Sequence, residues 1–193
     1  MKAQSRPRAD DPDRGDVLSC LNLGCGEDYR EGWVNVDVSD EVDPDYEFDV
    51  AEGDWPFDDN SFQHVLARHV LEHLQNPVAA LEEIARVLEP DGTLELVYPL
   101  GHCVNSDPQH EQFWTYETAE FFDASGRNPW ESPVPFSLIT RDLDVWLDAP
   151  LPFSKLLLRY RLWKHEPGPW LNQVTGLGGE VKATYRKIKH ERD

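Results

Sequence analysis

Short apolar segments separated by polar turns recur along the first hundred residues of the chain. Residues 17–23 form an apolar run that ends at Gly24, which is typical of a buried strand. Residues 77–88 instead carry apolar side chains on one helical face, with Asn76 as the predicted N-cap. Strands that alternate with helices indicate a mostly parallel α/β sheet. The other strand candidates in this region are residues 33–38, 46–50, 62–67 and 93–98.

The second half of the chain has a looser pattern. Residues 101–114 form a long polar loop, a helix is predicted over 115–124, and strands are predicted over 142–147 and 180–188. Residues 155–165 are both basic and apolar. As a helix they could dock on an anionic membrane surface or cover a substrate site. As a strand they would fit a sheet edge, and we expect a structural role for them.

The length of 193 residues fits one domain, which we expect to span residues 17–193 after a flexible tail at 1–16. No apolar run is long enough for a transmembrane segment. The net charge of −19 disfavours nucleic acid as a partner and indicates adaptation to a salt-rich, halophilic cytoplasm, where ions screen self-repulsion. Three cysteines without C-x-x-C spacing argue against a disulfide framework, which also fits a cytoplasmic protein.

The most informative segment is the glycine turn Gly24-Cys25-Gly26, directly after the first predicted strand. Gly24 permits a tight turn with positive φ, and Gly26 lets a ligand approach the backbone. Asp37 and Asp49 end the second and third predicted strands, and neighbouring parallel strands end at the crevice where ligands bind. Asp37 could accept the hydroxyls of a ribose, and Asp49 the amino group of an adenine. The alternative is an ordinary glycine turn beside surface aspartates.

Seven sequence blocks then follow one another in a characteristic order. They are residues 21–28, 35–37, 49–50, 56–62 (PFDDNSF), 69–74 (HVLEHL), 84–92 (IARVLEPDG) and 93–96. Over about residues 18–122 the chain thus resembles the class I S-adenosylmethionine-dependent methyltransferases. The resemblance implies a Rossmann-like, seven-stranded, mostly parallel sheet with the last strand antiparallel. Residues 17–100 would form its cofactor-binding half and residues 101–193 its acceptor-side half.

The resemblance also implies S-adenosylmethionine as the cofactor and methyl transfer to an acceptor by direct displacement. The glycine turn would contact the methionine half of the cofactor, and Asp37 would hold the ribose. Arg68 and His69, after the fourth strand, would lie beside the sulfonium and the acceptor, and His69 is, with His110, a predicted catalytic residue. The cofactor residues carried over by position are Gly24, Cys25, Gly26, Asp37, Asp49, Val50 and Arg68. Neither the class of acceptor nor the oligomeric state is indicated, and a catalytically silent cofactor-binding protein is the alternative.

Three departures from the family pattern affect the predicted site. Asn22 stands where an acidic residue is usual, and Asp28 replaces the third glycine of the longer fingerprint. Tyr29 follows, so the G-x-G-x-x-G pattern of nicotinamide-dependent oxidoreductases is incomplete. Only nine residues, 24–32, separate the first two strands, whereas a parallel crossover usually takes about a dozen or more. We therefore expect the first crossover helix to be short or absent.

Histidines offer two candidate chemistries. His69 and His73 form an H-x-x-E-H pattern, which in a helix could bind zinc as in a metalloprotease. Because the pattern is embedded in the methyltransferase blocks, we predict no metal site and regard the protease as a remote alternative. His110 lies in a D-P-x-H segment similar to one on the acceptor side of a subset of these enzymes. It could be a general base, or it could join the loop to the sheet.

Overall fold

The computed structural model describes residues 19–101, 107–125, 134–147, 157–160 and 177–188. The strands are β1 (Cys20–Leu23), β2 (Val34–Asp37), β3 (Tyr46–Glu47), β4 (Phe62–Arg68), β5 (Leu88–Gly101), β6 (Phe136–Leu147), β7 (Leu157–Tyr160) and β8 (Leu177–Lys187). The helices are α1 (Pro77–Val87) and α2 (Thr118–Phe121), and short 3₁₀ helices lie at Asp40–Val42 and Leu71–His73. The predicted tail at residues 1–16 lies outside the described residues.

The strands form one sheet in the order β3-β2-β1-β4-β5-β8-β6-β7. β3, β2, β1, β4 and β5 pair in parallel, and β8 runs antiparallel to both β5 and β6. The predicted Rossmann-like sheet with an antiparallel last strand is therefore confirmed. β7 adds an eighth strand, antiparallel to β6, at the sheet edge. It lies within the segment 155–165, whose other residues lie outside the described part of the chain.

The connection between β1 and β2 has no helix anywhere in residues 24–33, all of which are described. This confirms the expected loss of the first crossover helix. Asn22 holds the loop in its place: its side-chain Nδ2 donates to the Asp28 carbonyl at 2.8 Å and to Asn35 Oδ1 at 3.1 Å. A carboxylate at position 22 would only accept hydrogen bonds. The departure from the family at this position thus supplies the donor that the shortened loop requires.

Helix α1 covers one face of the sheet beside β5. Asn76 caps it by accepting from Ala79 N, and Pro77 occupies its first turn, as the sequence predicts. Arg86 near its end donates to the backbone carbonyls of Trp55 and Phe57, at 3.2 and 2.7 Å. The helix therefore fixes the loop that precedes β4. No helix in the described residues is long and apolar enough to cross a membrane.

Several elements differ from their predicted bounds, among them β5 and the helix predicted over 115–124. β5 begins at Leu88 rather than residue 93, and the β4–β5 register shifts between Phe62 and His64. The shift places residues 89–92 in a bulge, where Asp91 has a φ of 64°. The helix predicted over 115–124 is reduced to Thr118–Phe121. Around this short helix, the buried Trp114, Phe122 and Tyr185 pack into the core, so tertiary contacts rather than helix propensity hold the segment.

The half-buried His64 on β4 makes stability depend on pH. Its Nδ1 lies 2.8 Å from Thr93 Oγ1, and burial lowers its pKa below the ordinary 6.5. Protonation therefore favours the unfolded chain, so the stabilisation is present above about pH 6.5 and is lost as the pH falls below it. We expect the free energy of unfolding of the wild type, relative to that of His64→Gln, to decrease from about pH 7.5 to about pH 5.5, because His64 is the titrating group by which the two proteins differ. Urea titrations at fixed salt measure this, and equal pH slopes would contradict it.

Candidate functional site

A cleft of about 940 Å³ opens at the carboxyl ends of the parallel strands, the edge at which α/β proteins bind ligands. Its walls come from the ends of β1, β2 and β4, the segment after β3, and the loop around residue 110. The lining residues are Gly24, Asp37, Val38, Phe48, Asp49, Val50, Ala51, His69, Val70, His73, Leu74, Gln75, Asn76, Gln109 and Glu111.

The glycine turn has the conformation that the sequence predicts. Gly24 has a φ of 58° and Gly26 a φ of 46°, both in the left-handed region. A Cβ built on Gly24 would lie 2.4 Å from Val70 Cγ2, whereas one on Gly26 meets nothing within 4 Å. Gly24 is thus required by close packing against the segment after β4. Gly26 leaves open space above the backbone.

Asp37 connects the turn to the second strand. Its Oδ2 accepts from Gly26 N at 2.8 Å, and its Oδ1 accepts from Ser39 N at 3.0 Å. These backbone donors hold the carboxylate at the cleft wall in a fixed orientation. A half-buried carboxylate presented in this way is a suitable acceptor for a diol.

Cys25 takes part in the site only through its backbone. Its N donates to Val36 O at 2.9 Å, and its side chain is 3% exposed. Burial, with the Asp37 carboxylate nearby, raises the pKa of the thiol to about 11. The thiol is therefore neutral at physiological pH and has no nucleophilic role.

The opposite side of the cleft is lined by Asp49 and Val50, together with apolar residues that the sequence analysis did not single out. Asp49 Oδ1 accepts from Ala51 N at 2.8 Å, which forms a tight local turn. Val38, directly after Asp37, is 66% exposed, and Phe48 lies beside Asp49. The exposed Val38 and the partly buried Phe48, next to predicted polar contacts, are suited to pack on a flat ring. Their position next to a strand-end aspartate is the signal that could have identified them.

His69 occupies a strained position where β4 ends. Its φ is 53°, which is uncommon for a residue with a Cβ, and its N still pairs with Val97 O. The ring lies between two carboxylates, with Nδ1 and Nε2 each 3.2 Å from Glu72 Oε1 and Glu180 Oε2, respectively. Hydrogen bonds to Glu180 and Glu72 raise the pKa of His69 to about 9. A pKa raised in this way favours the charged imidazolium at neutral pH.

The loop that contains His110 is docked on the 3₁₀ helix Leu71–His73. Glu111 N and Gln112 N both donate to the Glu72 carbonyl, at 2.9 and 3.0 Å. The His110 side chain is 7% exposed, and its ring packs edge-on against His73 with 4.7 Å between centroids. His110 thus lies behind His73, which itself lines the cleft.

The structure brings part of the predicted site together. Gly24, Asp37, Asp49, Val50 and His69 line the cleft. The other predicted residues adjoin it without lining it: Cys25, Gly26, Arg68 and His110. The side chain of Arg68 is exposed at the end of β4. The H-x-x-E-H pattern is not on an α-helix, because residues 71–73 form a 3₁₀ turn, so the metalloprotease alternative has no support.

Comparison with known proteins agrees with this geometry. A family described as "Methyltransferase domain" matches residues 21–96. An uncharacterized methyltransferase from Schizosaccharomyces pombe is 57% identical over 37 residues, which are 19% of this chain and 13% of that protein. The chain therefore matches only a small part of that relative's length.

Solved structures share the fold at low sequence identity. An S-adenosylmethionine-dependent methyltransferase from Archaeoglobus fulgidus has a TM-score of 0.58 and 14% identity, over 87% of this chain and 85% of its own. A second match is a chain from the complex between the Haloferax volcanii Trm112 methyltransferase activator and the putative methyltransferase. It has a TM-score of 0.55 and 19% identity, over 90% of this chain and 83% of that chain. The [4+2]-cyclase SpnF also matches, with a TM-score of 0.54 and 16% identity, over 89% of this chain and 74% of that chain. The fold alone therefore does not define the reaction. The family match over residues 21–96 and the shared fold together confirm the resemblance to the class I S-adenosylmethionine-dependent methyltransferases.

Proposed function

We propose that this chain binds S-adenosylmethionine in the cleft and transfers its methyl group to a nucleophilic acceptor. The observation that carries the proposal is the coincidence of the glycine turn and the Asp37 carboxylate at adjacent strand ends, within one cleft. The residues fit the cofactor: Gly26 leaves its backbone open, Asp37 is held to accept ribose hydroxyls, and Asp49 and Val50 offer a polar and an apolar contact for adenine.

The cofactor supplies a methyl group made electrophilic by an adjacent sulfonium. The protein's part is alignment and exclusion of water, so that the acceptor approaches the methyl carbon opposite the sulfur. His69, held between two carboxylates, would position that end of the cleft rather than exchange a proton. The base role predicted for His110 has less support from this geometry, since its side chain is 7% exposed and lies behind His73.

Calorimetric titration of the purified chain with S-adenosylmethionine, in high salt, tests the binding step. We expect micromolar affinity for S-adenosylmethionine and no measurable binding of NADH, because the dinucleotide fingerprint is incomplete. No heat with S-adenosylmethionine would overturn the proposal. Incubation of cell extract with a methyl-labelled cofactor then tests transfer: a labelled product formed only with the active chain supports it. Tight cofactor binding without any labelled product would favour the catalytically silent alternative.

A further inference from the structure

We infer that Glu72, His73 and His110 form a binding site for a divalent transition metal beside the cofactor cleft. One oxygen or nitrogen from each residue lies within 4.8 Å of the other two. This trio differs from the His69–His73 pair of the sequence pattern. It revises the expectation from the sequence that the chain has no metal site.

A buried carboxylate oxygen without a partner is the first observation that points to a ligand. Glu72 is 1% exposed, and its Oε2 has no hydrogen-bond partner. Its Oε1 is engaged by His69 Nδ1. Leaving a carboxylate oxygen buried and unpaired costs several kcal/mol in typical cases, so such a group is normally paired or bound to a metal. Of the two Glu72 oxygens, Oε2 is therefore the one available to a metal.

The contact of His73 with a backbone carbonyl is the second observation. Its Nδ1 lies 3.3 Å from the Gln109 carbonyl oxygen, which can only accept a hydrogen bond. The proton of a neutral His73 ring therefore lies on Nδ1, and its Nε2 keeps the lone pair that a metal requires. Histidine ligands in proteins usually donate their second nitrogen to a carbonyl or carboxylate in this way. Asp107 Oδ2 lies 3.9 Å from His110 Nε2, a charge contact that is too long for a hydrogen bond.

Two imidazoles and one carboxylate are a donor set for Zn²⁺, Co²⁺ or Fe²⁺ rather than for Mg²⁺ or Ca²⁺. The donor atoms lie within 4.8 Å of one another, and bonds of about 2.0–2.2 Å to a common ion require separations below about 4.4 Å, so at most a small movement of the side chains would bring them to one ion. Three protein ligands also leave a coordination position open. Since His73 lines the cleft, that position would face the acceptor side, where an oxygen of the acceptor could complete the coordination. Only this last role rests on the proposed methyl transfer.

Titration of the metal-free chain with Co²⁺, without S-adenosylmethionine, tests the site. High salt suppresses weak cation binding by the acidic surface. We expect one Co²⁺ per chain with a visible absorption typical of nitrogen and oxygen ligands and no thiolate band. The variants His73→Gln and His110→Gln should each weaken binding by about 100-fold or more, because loss of a ligand exceeds the effect of losing its supporting partner. His64→Gln, a half-buried histidine outside the trio, is the matched control and should bind as the wild type does.

Thermal unfolding gives a readout that does not depend on activity. Zn²⁺ should raise the unfolding temperature of the wild type and of His64→Gln but not that of His73→Gln. If His110→Gln does not fold, His73→Gln still tests the site, because it replaces a half-exposed side chain. Absence of stoichiometric binding, a thiolate band, or unchanged affinity in the folded variants would each overturn the site. Cofactor titration is a separate measurement, so failure of the metal site and failure of the methyltransferase proposal are distinguishable.

Discussion

Replacing Asp37 by alanine is expected to weaken S-adenosylmethionine binding by about 100-fold or more. That factor corresponds to about 2.7 kcal/mol, the size expected when a carboxylate loses its charge-assisted hydrogen bonds to a ligand. The loss has a second cause, because Gly26 N and Ser39 N also lose their acceptor and the turn is no longer held in place. Calorimetry with wild type and variant measures the change.

The matched control for this substitution is Asp40→Ala. Asp40 begins the 3₁₀ helix after β2, is exposed, and does not line the cleft, yet its loss changes the net charge equally. Its effect on affinity should be within about twofold, since surface charges act weakly in salt. Asp37→Asn removes the charge but keeps one side-chain oxygen that can accept a hydrogen bond from the turn. It therefore separates an effect on cofactor binding from an effect on folding. Unaltered affinity in a folded Asp37→Asn would contradict the ribose role.

The largest effect on stability is expected for Gly24→Ala. A left-handed conformation costs a residue with a Cβ about 1–2 kcal/mol, and overpacking typically adds about 1–3 kcal/mol. Both apply here, because the new Cβ would lie 2.4 Å from the stiff side chain of Val70. We expect the free energy of unfolding to fall by about 2–5 kcal/mol, a large part of the total for a typical domain. Urea unfolding provides the measurement.

Gly32→Ala is the control that isolates the clash. Gly32 also has a positive φ, 80°, but a Cβ there meets nothing within 4 Å, so only the backbone term remains. In a double-mutant cycle, Val70→Ala removes the opposing methyl group and should recover part of the loss caused by Gly24→Ala. Equal destabilisation by Gly24→Ala and Gly32→Ala would show that the close packing is not what requires glycine at position 24.

The clustering of the glycine turn and Asp37 at one edge of the sheet could be predicted because its signals are local. A strand, a glycine turn and an aspartate at the next strand end each occupy a few consecutive residues, and the parallel sheet places them together. The predicted ends of strands were less accurate where a strand is buried by segments that are distant in the sequence. β6 begins at Phe136 rather than residue 142, because residues 137–142, which mix polar and apolar side chains, pair with β8 between 40 and 49 positions later.

The convergence of His73 and His110 could not be predicted from the sequence. It depends on the Glu72 carbonyl, which accepts two N–H groups from the loop after Asp107. No periodicity relates positions separated by such a loop. The H-x-x-E-H pattern instead suggested His69 as the partner of His73, and the left-handed turn at His69 directs that ring toward Glu180.

That pair of hydrogen bonds on the Glu72 carbonyl has a thermodynamic consequence. It joins a wall of the cleft, where we propose that the cofactor binds, to the loop around residue 110, so a shift of one affects the other. A methyl acceptor that moves the loop would therefore alter the affinity for the cofactor. Linkage then requires the cofactor to alter the affinity for the acceptor by the same factor, so the order in which the two ligands bind cannot change the strength of the ternary complex.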